Sequence, residues 1–133
     1  MISCSIFDQY YEHALCDLGA SVNIMPMVIY EKLLYPALSP TYMCVQLADS
    51  TIQYPEGIAK NVLVRVRDSF VLADFVVMDI EGDLGIEVIL GRPFLRAARA
   101  RIDVGKRGIR FYVRKEDMFF RFKQREEQRI MNR

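Results

Sequence analysis

Two apolar runs that each break at a glycine constrain this chain more than any other feature: Ala14-Leu15-Cys16-Asp17-Leu18-Gly19-Ala20-Ser21 and, far downstream, Val88-Ile89-Leu90-Gly91-Arg92-Pro93-Phe94-Leu95. The first delivers a carboxylate at the end of a strand that reads as buried. Gly19, with no Cβ, is expected to let the backbone turn tightly beneath it. A charged side chain in such a place needs a partner or a task, because an unpaired carboxylate in low dielectric is costly. Asp17 is therefore either bonded into a turn or held for chemistry.

The text between the runs is that of a β protein. Ile6, Phe7, Tyr10, Tyr11, Ala14 and Leu15 supply β-forming bulk in two short strands joined around Asp8-Gln9. Val62, Val64 and Val66 alternate with Leu63, Arg65 and Arg67, and a turn at Asp68-Ser69 leads into a second strong strand from Phe70 to Met78. Pro26 suits the first position of a short helix ending before Pro36, and Pro93 can start another through Phe94, Leu95, Ala97 and Ala98. A hairpin is expected across Gly105-Lys106-Arg107-Gly108, with a last strand from Met118 to Phe122. Many short strands and two small helical pieces predict an all-β, barrel-like domain.

Taken together, the two glycine junctions resemble the retropepsins, the aspartic proteases of retroviruses and LTR retrotransposons. Their signature is Asp-Thr/Ser-Gly-Ala followed well downstream by two aliphatics and a glycine. Asp17-Leu18-Gly19-Ala20 stands for the first, and Ile89-Leu90-Gly91 with Arg92 for the second. Leu47-Ala48-Asp49-Ser50 and Ile52-Gln53-Tyr54-Pro55-Glu56-Gly57 look like the protease segment of plant Ty3/gypsy-type polyproteins. The resemblance covers Ser3 to Val113 and implies a closed barrel of the acid-protease type, a single lobe with one or two short helices. It divides the chain into a protease domain over 1–113 and a last strand with a basic tail or linker over 114–133.

The family reading makes Asp17 the catalytic residue, with Leu18, Gly19, Ala20 and Ser21 forming the active-site turn. Ala48, Asp49, Ser50, Thr51 and Ile52 would belong to the flap that closes over a polypeptide substrate, and Arg92 would sit at a surface or dimer-edge salt bridge or near the catalysis. The chemistry needs two carboxylates a few ångströms apart, and only one Asp-x-Gly-Ala copy occurs, so a homodimer is implied. No cofactor or metal is implied. Leu18 stands where the family carries a hydroxyl that braces the two subunits. That departure supports a second reading, an inactive retropepsin-like fold that dimerises or binds peptides.

Other chemistries find less support. Cys4, Cys16 and Cys44 are odd in number and lack a Cys-x-x-Cys spacing, so they are read as core residues rather than as a disulfide or zinc framework. His13 and Cys16, three apart in an extended strand, point to opposite faces and do not pair as a nucleophile and base. Asp79, Glu81, Asp83 and Glu87 match no calcium-loop spacing and read as a solvated turn. Residues 1–104 carry eight basic and thirteen acidic side chains, whereas 105–133 carry ten basic and four acidic. The basic end offers a weak nucleic-acid contact as a further reading. No apolar run is long enough for a membrane span, and no secretory signal opens the chain, so a cytoplasmic or particle-associated setting is expected.

Overall fold

The computed structural model describes residues 1–33, 37–46, 50–80 and 87–121. Strand β1 (Ile2–Ile6) turns at Phe7, whose φ is 54°, into β2 (Gln9–Cys16). Ile2, Cys4 and Ile6 alternate inward along β1, the period of two that a half-buried strand requires. Strand β3 (Ile24–Pro26) runs directly into helix α1 (Met27–Lys32). Pro26 sits one residue before the helix rather than in its first position, and Ile29 is the residue α1 buries. A two-stranded ribbon, β4 (Val45–Gln46) with β5 (Ile52–Gln53), forms a sheet of its own, with Val45 packed against Ile24, Val76 and Met78.

Strands β6 (Gly57–Val66) and β7 (Ser69–Met78) form the long hairpin of the fold. Val62, Val64, Val66, Val71, Ala73 and Phe75 point into the core, while Leu72 and Asp74 point out. From Val76 to Met78 the alternation stops and every residue is buried. There β7 is flanked by β6 and by β3, and a small second cluster of Ile24, Val76 and Met78 covers the other face. Strand β8 (Ile89–Leu90) completes a closed six-stranded barrel in the order β1-β2-β8-β3-β7-β6. The pairs β2/β8 and β3/β7 are parallel, so the two glycine junctions emerge on neighbouring strands at one end of the barrel.

Helix α2 (Arg92–Ala97) follows and buries Phe94 and Leu95. Beneath it lies a three-stranded sheet of β9 (Arg101–Asp103), β10 (Gly108–Val113) and β11 (Glu116–Arg121). Phe94 meets Phe111 edge-on at 6.0 Å, and Phe111 meets Phe120 at 5.3 Å. These rings tie the sheet to the barrel core, each fully buried ring contributing roughly 2–3 kcal/mol. The expected last strand therefore belongs to the core, through Met118 and Phe120. Residues 122–133 lie outside the described residues, as do 81–86, which hold most of the acidic turn. No described helix is long and apolar enough to cross a membrane.

The cysteines divide. Cys4 is buried, Cys16 is half-buried and Cys44 is exposed, so the expectation of three core cysteines fails at Cys44. Its segment leads into the β4/β5 ribbon, where Val45 packs against the Ile24, Val76 and Met78 cluster while Cys44 itself is left exposed.

Candidate active site

The parallel pairing of β2 with β8 places Asp17. Leu15 pairs with Ile89 and Cys16 with Leu90, and the Asp17 N–H extends the ladder by donating to the Leu90 carbonyl at 3.0 Å. Past this point the chain leaves the sheet. The Asp17 Oδ1 accepts the Gly19 N–H at 2.8 Å, and the Ala20 N–H returns to the Asp17 carbonyl at 3.2 Å. An aspartate that bonds the backbone two residues on stabilises a turn without help from glycine geometry. The expected turn forms at Gly19, but its backbone is not left-handed and an added Cβ would meet only Asp17 Oδ1 at 3.2 Å, so the turn does not depend on glycine's conformational freedom.

The second junction holds the first. The Arg92 N–H donates to the Ala20 carbonyl at 2.9 Å, and its guanidinium Nη1 to the Leu18 carbonyl at 3.2 Å. Gly91 lies so close beneath that a Cβ would come within 2.3 Å of the Val22 carbonyl oxygen and 2.9 Å of that of Ala20. Arg92 therefore acts as a backbone clamp. It makes no salt bridge among the described residues.

Asn23, which the sequence reading passed over, joins the two junctions from below. It is 1% exposed. Its Oδ1 accepts the Gly91 N–H at 2.8 Å and the Phe94 N–H at 3.3 Å, and its Nδ2 donates to the Asp74 carbonyl at 3.1 Å. Gly91 has no side chain to cap α2, so Asn23 supplies the missing acceptor from sixty-eight residues away in sequence. The only advance signal was a buriable amide between apolar residues, Val22 and Ile24.

These elements frame a cleft of about 830 Å³. Asp17, Gly19, Ala20 and Ser21 line it together with Ile89 and Arg92, so both motifs meet there. Its other wall is Met43, Cys44, Val45 and Gln46, the approach to the β4/β5 ribbon, which sequence reasoning did not single out. Leu90 and Gly91 lie buried behind the cleft. Ser50, Thr51 and Ile52 do not line it, although Ile52 pairs with Gln46 across the ribbon. Ala48 and Asp49 lie outside the described residues.

Leu18 is 55% exposed at the tip of the turn, an apolar side chain directed away from its own chain. Among the described residues Asp17 is the one carboxylate lining the cleft. Among the described residues no cluster of three or more metal-binding side chains occurs. Burial pushes the Cys4 and Cys16 thiols up to about 12, so neither is a thiolate at neutral pH. Cys16 keeps some exposed surface while its thiol is enclosed. His13 turns instead toward Glu87, whose Oε1 accepts the His13 backbone N–H at 2.8 Å and lies 3.7 Å from its Nδ1.

No family model and no curated protein matches the sequence. Solved structures do match. The retroviral protease-like domain of Ddi1 from Leishmania major aligns over 90% of this chain and 88% of its own, with a TM-score of 0.62 and 18% identity. The EIAV protease in complex with the inhibitor HBY-793 aligns over 77% of this chain and 89% of its own, with a TM-score of 0.57 and 19% identity. Identities this low speak to architecture, and together with the closed six-stranded barrel and two short helices they establish that the chain has the retropepsin-like fold.

Proposed function

We propose that this chain is an aspartic endopeptidase of the retropepsin type that acts as a homodimer, with polyprotein processing in a retroelement as its setting. The observation that carries the proposal is the Asp17 turn: a carboxylate at a cleft, clamped through Arg92 and resting on Gly91. Alone it is half a catalytic device. Two carboxylates brought close cannot both ionise, so one takes a proton from water while the other, protonated, bonds to the scissile carbonyl oxygen. Attack of that water's oxygen on the carbonyl carbon gives a tetrahedral intermediate. It breaks at the C–N bond as a proton passes to the leaving nitrogen. A second Asp17 across a twofold axis completes the pair, and Leu18, exposed at the same tip, would be buried between the two turns.

The test is Asp17→Asn, measured by pepstatin-sensitive peptide cleavage at mildly acidic pH. Cleavage should vanish while secondary structure and dimer persist, because the amide keeps the shape but cannot ionise. Activity per chain of the parent should fall on dilution. Undiminished cleavage by the variant overturns the proposal.

Leu18 favours a second reading, a dimerising or peptide-binding module without turnover. An aliphatic side chain forfeits the hydroxyl brace, which is worth roughly 0.5–1.5 kcal/mol per hydrogen bond, though apolar burial at the axis offsets part of that. Under the protease reading Leu18→Thr raises turnover with little change in dimer affinity. If parent and variant are both inactive dimers, the module is the better account.

A further inference from the structure

Two adjoining depressions, one where the β10–β11 turn meets β7 and the end of α2 and one on the outer surface of the β9–β10–β11 sheet, share no lining residue with the Asp17 cleft. One, of about 510 Å³, is lined by Phe70, Arg99, Tyr112, Arg114 and Lys115 among others; the second, of about 320 Å³, by Arg99, Arg101, Arg110, Tyr112 and Asp117. They meet at Arg99 and Tyr112. Five cations thus face a single anion, and that anion, Asp117, is taken by Arg110 at 3.1 Å. Arg99, Arg101, Arg114 and Lys115 have no ion-pair partner among the described residues.

Two aromatic rings are interleaved with these charges. The Arg114 guanidinium lies 3.9 Å from the centre of the Phe70 ring, and that of Arg99 lies 5.9 Å from the Tyr112 ring. Both rings stay partly open, Phe70 36% and Tyr112 42% exposed. Arg99, Arg114 and Lys115 adopt φ values of 50°, 50° and 67°, the left-handed region where glycine or asparagine is the relaxed choice. The same conformation occurs at Phe7, Ser50, Asn61, Arg67 and Arg107 away from this face, so it is how this chain makes its tight turns, and what sets this face apart is its charges and rings.

We propose that this face binds single-stranded nucleic acid. Unpaired cations spaced along a groove match a phosphate backbone, and open rings with guanidinium planes above them match unstacked bases. A duplex turns its bases inward and makes no use of the rings. An acidic peptide satisfies the charges alone. The charge continues past Arg121 in sequence with Lys123, Arg125, Arg129 and Arg133, yet the groove is complete without them. Because it shares nothing with the cleft, the proposal stands apart from the protease reading, and Asp17→Asn should bind unchanged.

The test is fluorescence anisotropy of the full chain with labelled oligo-U and oligo-dT, which separates RNA from DNA. Four free cations at a slope of about −0.7 each predict an affinity loss of about fifty-fold between about 50 and about 200 mM salt. The triple variant Arg101→Ala, Arg114→Ala, Lys115→Ala should lose at least about tenfold at low salt and flatten the slope by about 2. Tyr112→Ala should weaken binding several-fold with the slope unchanged, because it removes stacking and not charge. Circular dichroism checks that each variant folds. Absence of binding at low salt overturns the proposal. So does a triple variant that binds like the parent, which would place the contact in residues 122–133. Equal affinity for duplex DNA and heparin, with Tyr112→Ala silent, overturns it as well, since that is the behaviour of a generic polyanion surface.

Discussion

Gly19 and Gly91 follow similar apolar strands and look alike in the sequence, but the fold constrains them oppositely. Gly91 is buried, gives its N–H to Asn23 at 2.8 Å, and has a backbone oxygen 2.3 Å from where its Cβ would stand. Gly19 is exposed, and its nearest obstacle is the Asp17 carboxylate at 3.2 Å. One glycine is demanded by the packing of the chain upon itself. The other leaves room in front of a carboxylate, room that the proposed function gives to substrate and to the partner's turn. A shared local motif therefore divides into a buried half that the packing fixes and an exposed half that it leaves open.

The strongest way to break this comparison is Gly91→Ala. Carbonyl oxygens from two residues cannot move aside as a side chain would, so the expected loss is about 3 kcal/mol or more, with Tm lower by roughly 10 °C or more. A thermal melt of unchanged midpoint would show that the second junction is as loose as the first.

Asn23→Ala tests the same junction from below. It leaves the Gly91 and Phe94 N–H groups and the Asp74 carbonyl without their partner, for an expected loss of about 2–3 kcal/mol. The melt should stay cooperative, with the cleft residues the first to exchange their amide protons. Uniform exchange would count against Asn23 as the joint between the two turns.

Alkaline pH probes the paired strands β1 and β2, the second of which delivers Asp17. Cys4 and Cys16 stay protonated in the folded chain up to about 12, because burial disfavours the thiolate, whereas in the unfolded chain they ionise near 9.0. Their stabilisation is fully present below that lower value and is lost as pH rises toward the upper one. The slope is at most about 1.4 kcal/mol per pH unit for each thiol. Urea titrations across this window should show the decline, and Cys16→Ala should remove about half of it.

Gly19→Ala sharpens the contrast with the smallest effect on stability, under about 1 kcal/mol, because the site is exposed and only the carboxylate must yield. Under the protease reading turnover should nonetheless drop by about tenfold or more, since catalysis depends steeply on carboxylate placement. If it destabilises as much as Gly91→Ala, the division between the halves fails.

Much of this architecture was legible in advance. The alternation of Val62, Val64 and Val66, the turn before β7 and the two junctions are local patterns, set by the period of a strand and the limits of Pro and Gly. Pro26 and Pro93 marked both helices, to within a residue. The charge asymmetry was also visible as composition, but composition does not bring Arg99 and Arg101 beside Arg110, Arg114 and Lys115.

What tertiary structure alone decided is which distant pieces meet. Asn23 reaches Gly91, Arg92 reaches the Leu18 carbonyl, and Met43 to Gln46 rather than Ser50 to Ile52 line the cleft opposite Asp17. No window of sequence contains these encounters, because closing the barrel through the parallel pairs β2/β8 and β3/β7 sets them. Periodicity tells a residue which way to face. Only the closed sheet tells it what it will face.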